Sequence, residues 1–203
     1  MKKGLFVAIY GINNIGKSTH ARRLVTRLVR EGYDAVYLKY PVYDLKPTGP
    51  KINSILRSES GQKVSEEELQ TLFMQNRRDF EPTLKNYLAQ GKFVVAEDYT
   101  GTGLAWGTAK GLKLGFMEDL NKGLLKEDLA ILLTGKRDIR AMEKTHIHER
   151  DDLLISKVSH VLLQLAKKYG WVKISLQVEI DDTARLVWKE MSRFLEKTDS
   201  DNL

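Results

Sequence analysis

The chain reads Gly11-Ile12-Asn13-Asn14-Ile15-Gly16-Lys17-Ser18 directly after its first apolar run, and this stretch decides the fold. It matches the pattern G-x-x-x-x-G-K-[ST], in which glycines let the backbone curl so that successive N–H groups point at phosphate oxygens. The apolar run at residues 5–10 is typical of a buried parallel strand, and residues 18–31 carry apolar side chains at helical spacing. A strand, a glycine loop and a helix in this order predict a phosphate-binding loop.

The loop predicts roles on a nucleoside triphosphate for its own residues. The helix that starts near Ser18 adds the positive end of its dipole to the loop amides. Lys17 is expected to bridge the β- and γ-phosphates, and the Ser18 hydroxyl is expected to bind Mg²⁺. We therefore predict that ATP is held by Gly11, Asn13, Asn14, Ile15, Gly16, Lys17, Ser18 and Thr19.

The rest of the chain alternates strand-like and helix-like segments. The predicted strands are residues 5–10, 35–40, 92–97, 128–133 and 171–176, and the main helices are 18–31, 50–58, 151–169 and 182–195. This alternation predicts an α/β fold of the P-loop NTPase type, with a doubly wound, parallel five-stranded sheet and helices on both faces. We expect a single domain over residues 1–203, with its ligand at the carboxyl ends of the strands.

Local signals add detail between the second and fourth strands. Ser65 and Glu68 form a capping box at the start of a long helix, and Pro82 should kink or end that helix. A glycine-rich loop at residues 101–107 and two short helices are expected after the third strand. Residues 197–203 are expected to be a frayed tail.

Composition narrows the class of function. The chain has 203 residues and no cysteine, which excludes disulfides and Cys-based metal sites. Its net charge of +6 suits a nucleic acid, a membrane surface or a phosphorylated small molecule. Because Lys and Arg are spread along the chain, we expect an anion site within a solvated surface, and neither nucleic acid nor membrane as partner. The first apolar run is too short for a secretory leader and no run could cross a bilayer, so a cytoplasmic location is expected.

Two segments after the second strand carry a family resemblance. Lys39-Tyr40-Pro41 ends that strand, and Leu72-Phe73-Met74-Gln75-Asn76-Arg77 lies on the long helix. They resemble the Arg-x-Pro loop and the Leu-Phe-x-x-x-Arg helix of the thymidylate kinase family. The resemblance implies that Lys39, Tyr40 and Pro41 lie at the acceptor, while Phe73 stacks on a pyrimidine and Arg77 reaches its edge. Phe73 and Arg77 are four residues apart and so share a helix face.

The segment after the third strand extends the resemblance. It reads Glu97-Asp98-Tyr99-Thr100-Gly101-Thr102-Gly103-Leu104-Ala105-Trp106 and is similar to the family's Asp-Arg-Tyr-x-x-Ser-x-x-Ala-Tyr/Phe. In this register Glu97 takes the place of the family's Asp, where a carboxylate can hold Mg²⁺ or its waters. The resemblance also implies that Asp98, Tyr99, Thr102 and Trp106 line the acceptor site.

The charged stretch at residues 136–150 resembles the family's mobile lid. Cations there would offset charge on the transferring phosphoryl group and exclude water. The candidates are Arg137, Arg140, Lys144 and Arg150, and Glu149-Arg150 is most similar to the family's lid pair. The resemblance implies transfer from MgATP to dTMP or a related pyrimidine deoxynucleotide, with Lys17, Glu97 and Arg150 as catalytic residues. It also implies a homodimer.

Departures from the family pattern concern the loop and the acceptor. Asn13 stands where the family usually has an acid, and Asn14 where it often has a glycine. Tyr43 replaces the second arginine of the loop after Pro41, and Asp98 replaces the arginine after the strand acid. Both missing arginines belong to the family's monophosphate pocket, so this chain lacks two clamps for an acceptor phosphate.

Two accounts of the acceptor follow. Lys39, Lys46 or Lys51 could take over the phosphate, or the acceptor could be an uncharged nucleoside with Glu97 as the base for its hydroxyl. The layout favours a monophosphate kinase. The alternatives are a deoxynucleoside kinase acting on thymidine or deoxycytidine, and a nucleotide-binding protein that has lost catalysis.

Overall fold

The computed structural model describes residues 4–58, 61–136 and 151–200, in which five parallel strands form one sheet. The strands are β1 (Phe6–Tyr10), β2 (Ala35–Lys39), β3 (Phe93–Glu97), β4 (Leu129–Thr134) and β5 (Val172–Ser175). The helices are α1 (Lys17–Arg30), α2 (Thr48–Leu56), α3 (Glu66–Ala89), α4 (Thr100–Ala109), α5 (Leu114–Leu120), α6 (Asp152–Tyr169) and α7 (Ile180–Ser200). The predicted α/β class and parallel sheet are confirmed.

The order of the strands places a crevice at the centre of the sheet. The order is β2-β3-β1-β4-β5, with Ala8 of β1 opposite both Ala96 and Ala130. The connection from β1 runs one way to β2, whereas the later connections run the other way, so right-handed crossovers put their helices on opposite faces. Helix α1 packs on α7, while α4 packs on α3 and α6. The reversal beside β1 is the position at which doubly wound sheets bind ligands.

The central strand shows why the sequence pattern was a reliable guide. All five residues of β1 are fully buried, because the strand has neighbours on both sides and helices on both faces. Helix α1 buries Ala21, Leu24 and Leu28 and leaves its charged face to solvent. The strand and this helix therefore hold residues 11–16 in a fixed position between them.

The glycine-rich segment differs from the sequence prediction. Residues 101–107 lie inside α4, so the expected loop is wrong. Its glycines serve close packing instead, because a Cβ on Gly101 would clash with the Trp171 ring and one on Gly107 would lie 2.6 Å from Met117 Sδ. Overpacking of this kind typically costs about 1–3 kcal/mol, which is more than the roughly 1 kcal/mol that glycine itself costs in a helix.

The boundaries of three other helices agree with the sequence predictions in part. The Ser65–Glu68 capping box is confirmed, and α3 continues through Pro82 to Ala89 and does not end at the proline. Helix α2 starts at Thr48, two residues before Pro50. Helix α7 extends through 197–200, where a frayed tail was expected. Within the described ranges, no helix is long and apolar enough to cross a membrane.

Candidate active site

A cavity of about 570 Å³ opens at the carboxyl ends of the central strands. This volume is within the range of small-molecule sites, about 300–1,000 Å³. The predicted site residues on its wall are Asn13, Asn14, Ile15, Gly16, Lys17, Ser18, Thr19, Lys39, Tyr40, Pro41, Phe73, Arg77, Glu97, Asp98, Thr102 and Trp106. Gly11 and Tyr99 are not on the wall. The lid residues Arg137, Arg140, Lys144 and Arg150 lie outside the described residues.

The loop from Gly11 to Gly16 is shaped by its backbone. Gly11 has φ +154°, and a Cβ there would lie 2.7 Å from Ile15 Cγ2. Gly16 has φ +90° and Asn14 has φ +61°, so the chain turns sharply before α1. No side chain of the described residues caps the start of α1. Its first N–H groups are thereby left to an anion, as a phosphate-binding helix start requires.

Lys17 is buried on the cavity wall, between the loop of residues 11–16 and Asp98 at the end of β3. Its Nζ donates to the carbonyl oxygens of Gly11 and Ile12, at 3.0 Å each. The same nitrogen lies 3.7 Å from Asp98 Oδ1. Among the described residues these are its closest partners, and it can exchange them for phosphate oxygens, which make stronger charge-assisted bonds.

Glu97 ends β3 and is buried against cations and hydroxyls. The hydroxyl of Tyr37 donates to its carboxylate, and Lys39 Nζ lies 3.3 Å from Glu97 Oε1. Burial acts to raise the pKa of Glu97, but Lys39, the Tyr37 hydrogen bond, Lys17 and the Ser18 hydroxyl together hold that pKa below its ordinary value. The carboxylate is therefore ionised at neutral pH. Because it contacts Ser18, the two predicted Mg²⁺ ligands are next to each other.

Asp98 follows at φ +63°, and its side chain faces the cavity. Thr102 Oγ1 donates to Asp98 Oδ1 at 2.6 Å, and Lys17 Nζ lies 3.7 Å from the same oxygen. Burial raises the pKa of Asp98, and Glu97 raises it further, against the opposing effect of Lys17. The position at which the sequence lacks an arginine therefore places a carboxyl group inside the cavity.

The acceptor half is carried by α3 and α4. Phe73 and Arg77 lie on one face of α3, with Trp106 opposite on α4. Arg77 is 5% exposed, and its Nη1 donates to Asn121 Oδ1 at 3.1 Å. Its buried Nε has no hydrogen-bond partner among the described residues. Burial lowers the pKa of Arg77, although the guanidinium stays charged because its ordinary pKa is so high.

The comparisons with known proteins agree with this geometry. The family model "Thymidylate kinase" matches residues 9–187. The chain belongs to the thymidylate kinase family. A probable thymidylate kinase of Thermococcus onnurineus is 31% identical over 184 residues, covering 84% of this chain and 88% of the relative. The human thymidylate kinase is 29% identical over 150 residues, which are 73% of this chain and 69% of the human protein.

Longer matches cover nearly the whole chain. A putative thymidylate kinase of invertebrate iridescent virus 6 is 26% identical over 203 residues, covering 98% of this chain and 92% of the relative. A solved thymidylate kinase of Candida albicans has the same fold, with a TM-score of 0.78, 24% identity and coverage of 95% and 93% of the two chains. Membership of this family confirms the resemblance drawn from the sequence motifs. It also identifies the protein as an ATP-dependent nucleotide kinase.

Tyr99, expected to line the acceptor site of this thymidylate kinase family member, lies in the core. It is fully buried, with its ring edge-on to Phe6 at 4.9 Å and 5.1 Å from the ring of Tyr40. Its contribution to the site is therefore indirect: it supports Tyr40, which does reach the cavity wall.

Sequence reasoning missed several polar residues on the cavity wall, among them Gln70 and Arg57. Gln70 lies one turn before Phe73 on α3, so helical spacing from Phe73 could have found it. Arg57 directly follows α2, and its guanidinium lies over the ring of Tyr43 at 5.2 Å. No motif marks Arg57, since its place on the wall depends on how α2 packs. Lys46 and Lys51, considered as phosphate ligands, are exposed and lie off the wall.

Proposed function

We propose that the protein transfers the γ-phosphoryl group of MgATP to dTMP. The observation that carries this proposal is the buried guanidinium of Arg77, on the wall of the same cavity as Lys17. A buried cation with an unpaired N–H group is costly unless a ligand supplies acceptors. A keto pyrimidine attached to a phosphate offers acceptors for Arg77 at one end and an anion for Lys39 at the other.

The donor half acts by binding and orientation. The amides of residues 13–18 hold the phosphates of ATP, and Lys17 moves from the carbonyls of Gly11 and Ile12 to the β- and γ-oxygens. Little covalent chemistry is required of the protein in phosphoryl transfer, so positioning and charge stabilisation supply most of the rate. Lys17 lies between the donor loop and Asp98, where its charge can stabilise the phosphoryl group that is transferred.

Thymidylate kinases use ATP with Mg²⁺, and the residues present here fit the ion. Mg²⁺ commonly takes one or two protein ligands and fills its shell with phosphate oxygens and water. The Ser18 hydroxyl and the ionised Glu97 meet that need, although the described residues hold no cluster of three acids or histidines. When bound, Mg²⁺ would neutralise charge on the β- and γ-oxygens.

The acceptor phosphate requires replacements for the two missing arginines. Lys39 is on the wall, and although burial lowers its pKa, Glu97 and Asp98 raise it more, so it remains a cation. Arg57 adds a second cation beside Tyr43. We propose that Lys39 binds the phosphate of dTMP and that Arg57 supports it. Phe73 stacks on the base, and Thr102 and Trp106 border the sugar.

Other parts of the proposal rest on the family resemblance. We propose that Arg150 supplies lid charge to the transferring group, aided by Arg137 and Arg140. A homodimer, a single domain over residues 1–203 and a cytoplasmic location also remain predictions. Small-molecule nucleotides are the proposed partners.

The test is ADP release from MgATP with dTMP, dUMP, dCMP, thymidine and deoxycytidine offered separately. Turnover with dTMP well above the nucleosides supports the proposal. Asp98 favours one alternative, a deoxynucleoside kinase, because a carboxylate in the cavity repels phosphate and can accept a proton from a hydroxyl. Turnover with thymidine or deoxycytidine but with no monophosphate would establish that alternative. ATP binding without ADP release for any acceptor would indicate lost catalysis.

A further inference from the structure

We propose that Gln70 is a specificity-determining residue that, together with Arg77, selects a 4-oxopyrimidine base. This inference rests on the proposed dTMP acceptor. Gln70 is 1% exposed and lies on the cavity wall, one turn from Phe73. Its Oε1 is buried without a hydrogen-bond partner among the described residues, as is Arg77 Nε. Two unpaired polar groups of opposite kind thus lie on either side of the residue proposed to stack on the base.

The amide of Gln70 is held in one orientation by its neighbours. Its Nε2 donates to Glu66 Oε1 at 2.8 Å. Glu66 is fixed in turn by Lys110 Nζ at 2.8 Å and by Gln62 Nε2 at 3.1 Å, both on its other oxygen. A carboxylate can only accept, so the NH₂ group must face Glu66 and the carbonyl must face away. Gln70 therefore presents an acceptor, never a donor, on the far side.

Gly103 lets the two side chains approach α4 at one place. A Cβ at Gly103 would lie 3.2 Å from Gln70 Oε1 and 2.9 Å from Arg77 Nη2, so the acceptor and the guanidinium are close to each other there. The niche (Gln70, Arg77 and Gly103) therefore offers one acceptor and a guanidinium side by side, within reach of a flat ligand stacked on Phe73.

The niche complements the distal edge of thymine or uracil. That edge carries the N3–H donor directly beside the O4 acceptor. N3–H would donate to Gln70 Oε1, and Arg77 would donate to O4. Sites that hydrogen-bond a substrate group reject analogues that lack it, because their own buried polar atoms are then left unpaired.

The experiment compares dTMP with N3-methyl-dTMP, which lacks the N3–H donor, in the wild-type protein and in Gln70→Met. Methionine keeps the volume of the side chain but removes the acceptor. Gln75→Met is the matched control, because Gln75 lies on the same helix and bonds Asp79 away from the cavity. Melting temperatures check that each variant is folded, and Gln70→Ala repeats the test with a smaller side chain.

Gln70→Met is expected to lower kcat/KM for dTMP about 10- to 100-fold, while the KM for ATP stays unchanged. The preference of the wild type for dTMP over N3-methyl-dTMP should fall about 10-fold or more in the variant and persist in Gln75→Met. Equal losses for both substrates would make Gln70 a packing residue and overturn this inference, while the proposed function would stand. A wild-type preference for dCMP would also overturn it, since cytosine has its acceptor at N3. No turnover of dTMP by the wild type would overturn both proposals.

Discussion

The loop of residues 11–18 and the face of α3 meet in one cavity, yet the two regions recognise their ligands with different parts of the chain. The loop presents backbone N–H groups, and its shape depends on Gly11 and Gly16, which hold φ values that other residues rarely adopt. The face of α3 presents the side chains of Gln70, Phe73 and Arg77, whose directions depend on packing against α4. A site built from backbone leaves a strict motif, whereas a site built from side chains can exchange residues.

The residues that depart from the family pattern lie on the side-chain half of the site, as this comparison predicts. The donor loop keeps both glycines, Lys17 and Ser18, while the acceptor side has Tyr43 and Asp98 in place of two arginines of the family pattern. If the regions are separable, substitutions in one should spare ligand binding by the other. Four substitutions test this separation, and they are ordered here by the size of the expected effect.

Removal of the Lys17 ammonium should have the largest effect. Lys17→Ala is expected to lower the rate of ADP release about 10²- to 10³-fold, because a preorganised cation is lost from the transferring phosphoryl group. Calorimetry should show dTMP binding unchanged. Arg30→Ala, on the exposed side of the same helix, serves as the control. A parallel loss of dTMP affinity would show that the two regions are not separable.

Arg77→Ala tests the acceptor side in the same way. We expect kcat/KM for dTMP to fall about 10- to 100-fold, since hydrogen bonds to charged groups contribute about 1.5–3 kcal/mol. The Kd for ATP should not change. The neighbouring Arg78 is exposed, so Arg78→Ala should behave as wild type in both measurements. If ATP affinity falls together with dTMP turnover, the acceptor pocket has been misplaced.

Asn76→Ala tests how the acceptor loop is held. Asn76 is fully buried; its Oδ1 accepts from Val42 N at 2.7 Å, and its Nδ2 donates to Val42 O and Thr48 Oγ1, both at 3.0 Å. Loss of these bonds should lower the free energy of unfolding by about 1–3 kcal/mol. Because the loop carries Pro41 and Tyr43 to the cavity, the KM for dTMP should rise several-fold.

Urea denaturation and steady-state kinetics measure both effects of Asn76→Ala. The control is Asn86→Ala, an exposed asparagine on the same helix. The KM for ATP should remain at the wild-type value. A rise in the KM for ATP that matches the rise for dTMP would mean that the tie supports the whole cavity.

Asp98→Asn should have the smallest effect, and its sign depends on pH. Burial raises the pKa of Asp98 in the folded chain above the unfolded value of about 3.9. A raised pKa gives stability that is complete below the unfolded pKa and is lost as pH rises through the folded pKa. Above its folded pKa the wild type has lost that stability, whereas the neutral Asn variant has not.

The advantage in melting temperature of Asp98→Asn over wild type should therefore grow as the pH is raised and shrink as the pH is lowered to 4. The KM for dTMP should fall a few-fold, because a charge that repels phosphate is gone. Asp79→Asn, at an exposed site, is the control. A gain in stability that is the same at every pH would assign the effect to packing rather than to charge.

The limits of the sequence prediction follow the same division. Residues 11–18 could be placed because their chemistry lies in the backbone of one continuous segment. Glu97 could be placed because the end of a buried strand is visible in the pattern of apolar residues. Helical spacing from Phe73 could place Gln70 on the same face of α3, but its importance also depends on Gly103 and Lys110, which only the packing of α3 on α4 brings near it.

The glycines of α4 show the opposite limit. Three glycines in seven residues predict a loop when only local preference is considered. The helix contains these glycines because the side chains of Trp171, Arg77 and Met117 occupy the space that a Cβ would fill. These contacts come from distant parts of the chain, and the sequence around residues 101–107 does not predict them.

The position of β1 in the sheet also sets the order in which the molecule can be made. β1 emerges first from the ribosome, but its neighbours are β3 and β4, with Ala8 opposite Ala96 and Ala130. At about 5–20 residues per second, roughly 6 to 25 s of synthesis separate this strand from its second partner. Its five residues have no partner strand until β3 has been made, and they lack their second partner until the end of that interval. The apolar segment that leads into the phosphate loop is therefore exposed to aggregation while the chain is still being made, which is the hazard that chaperones reduce.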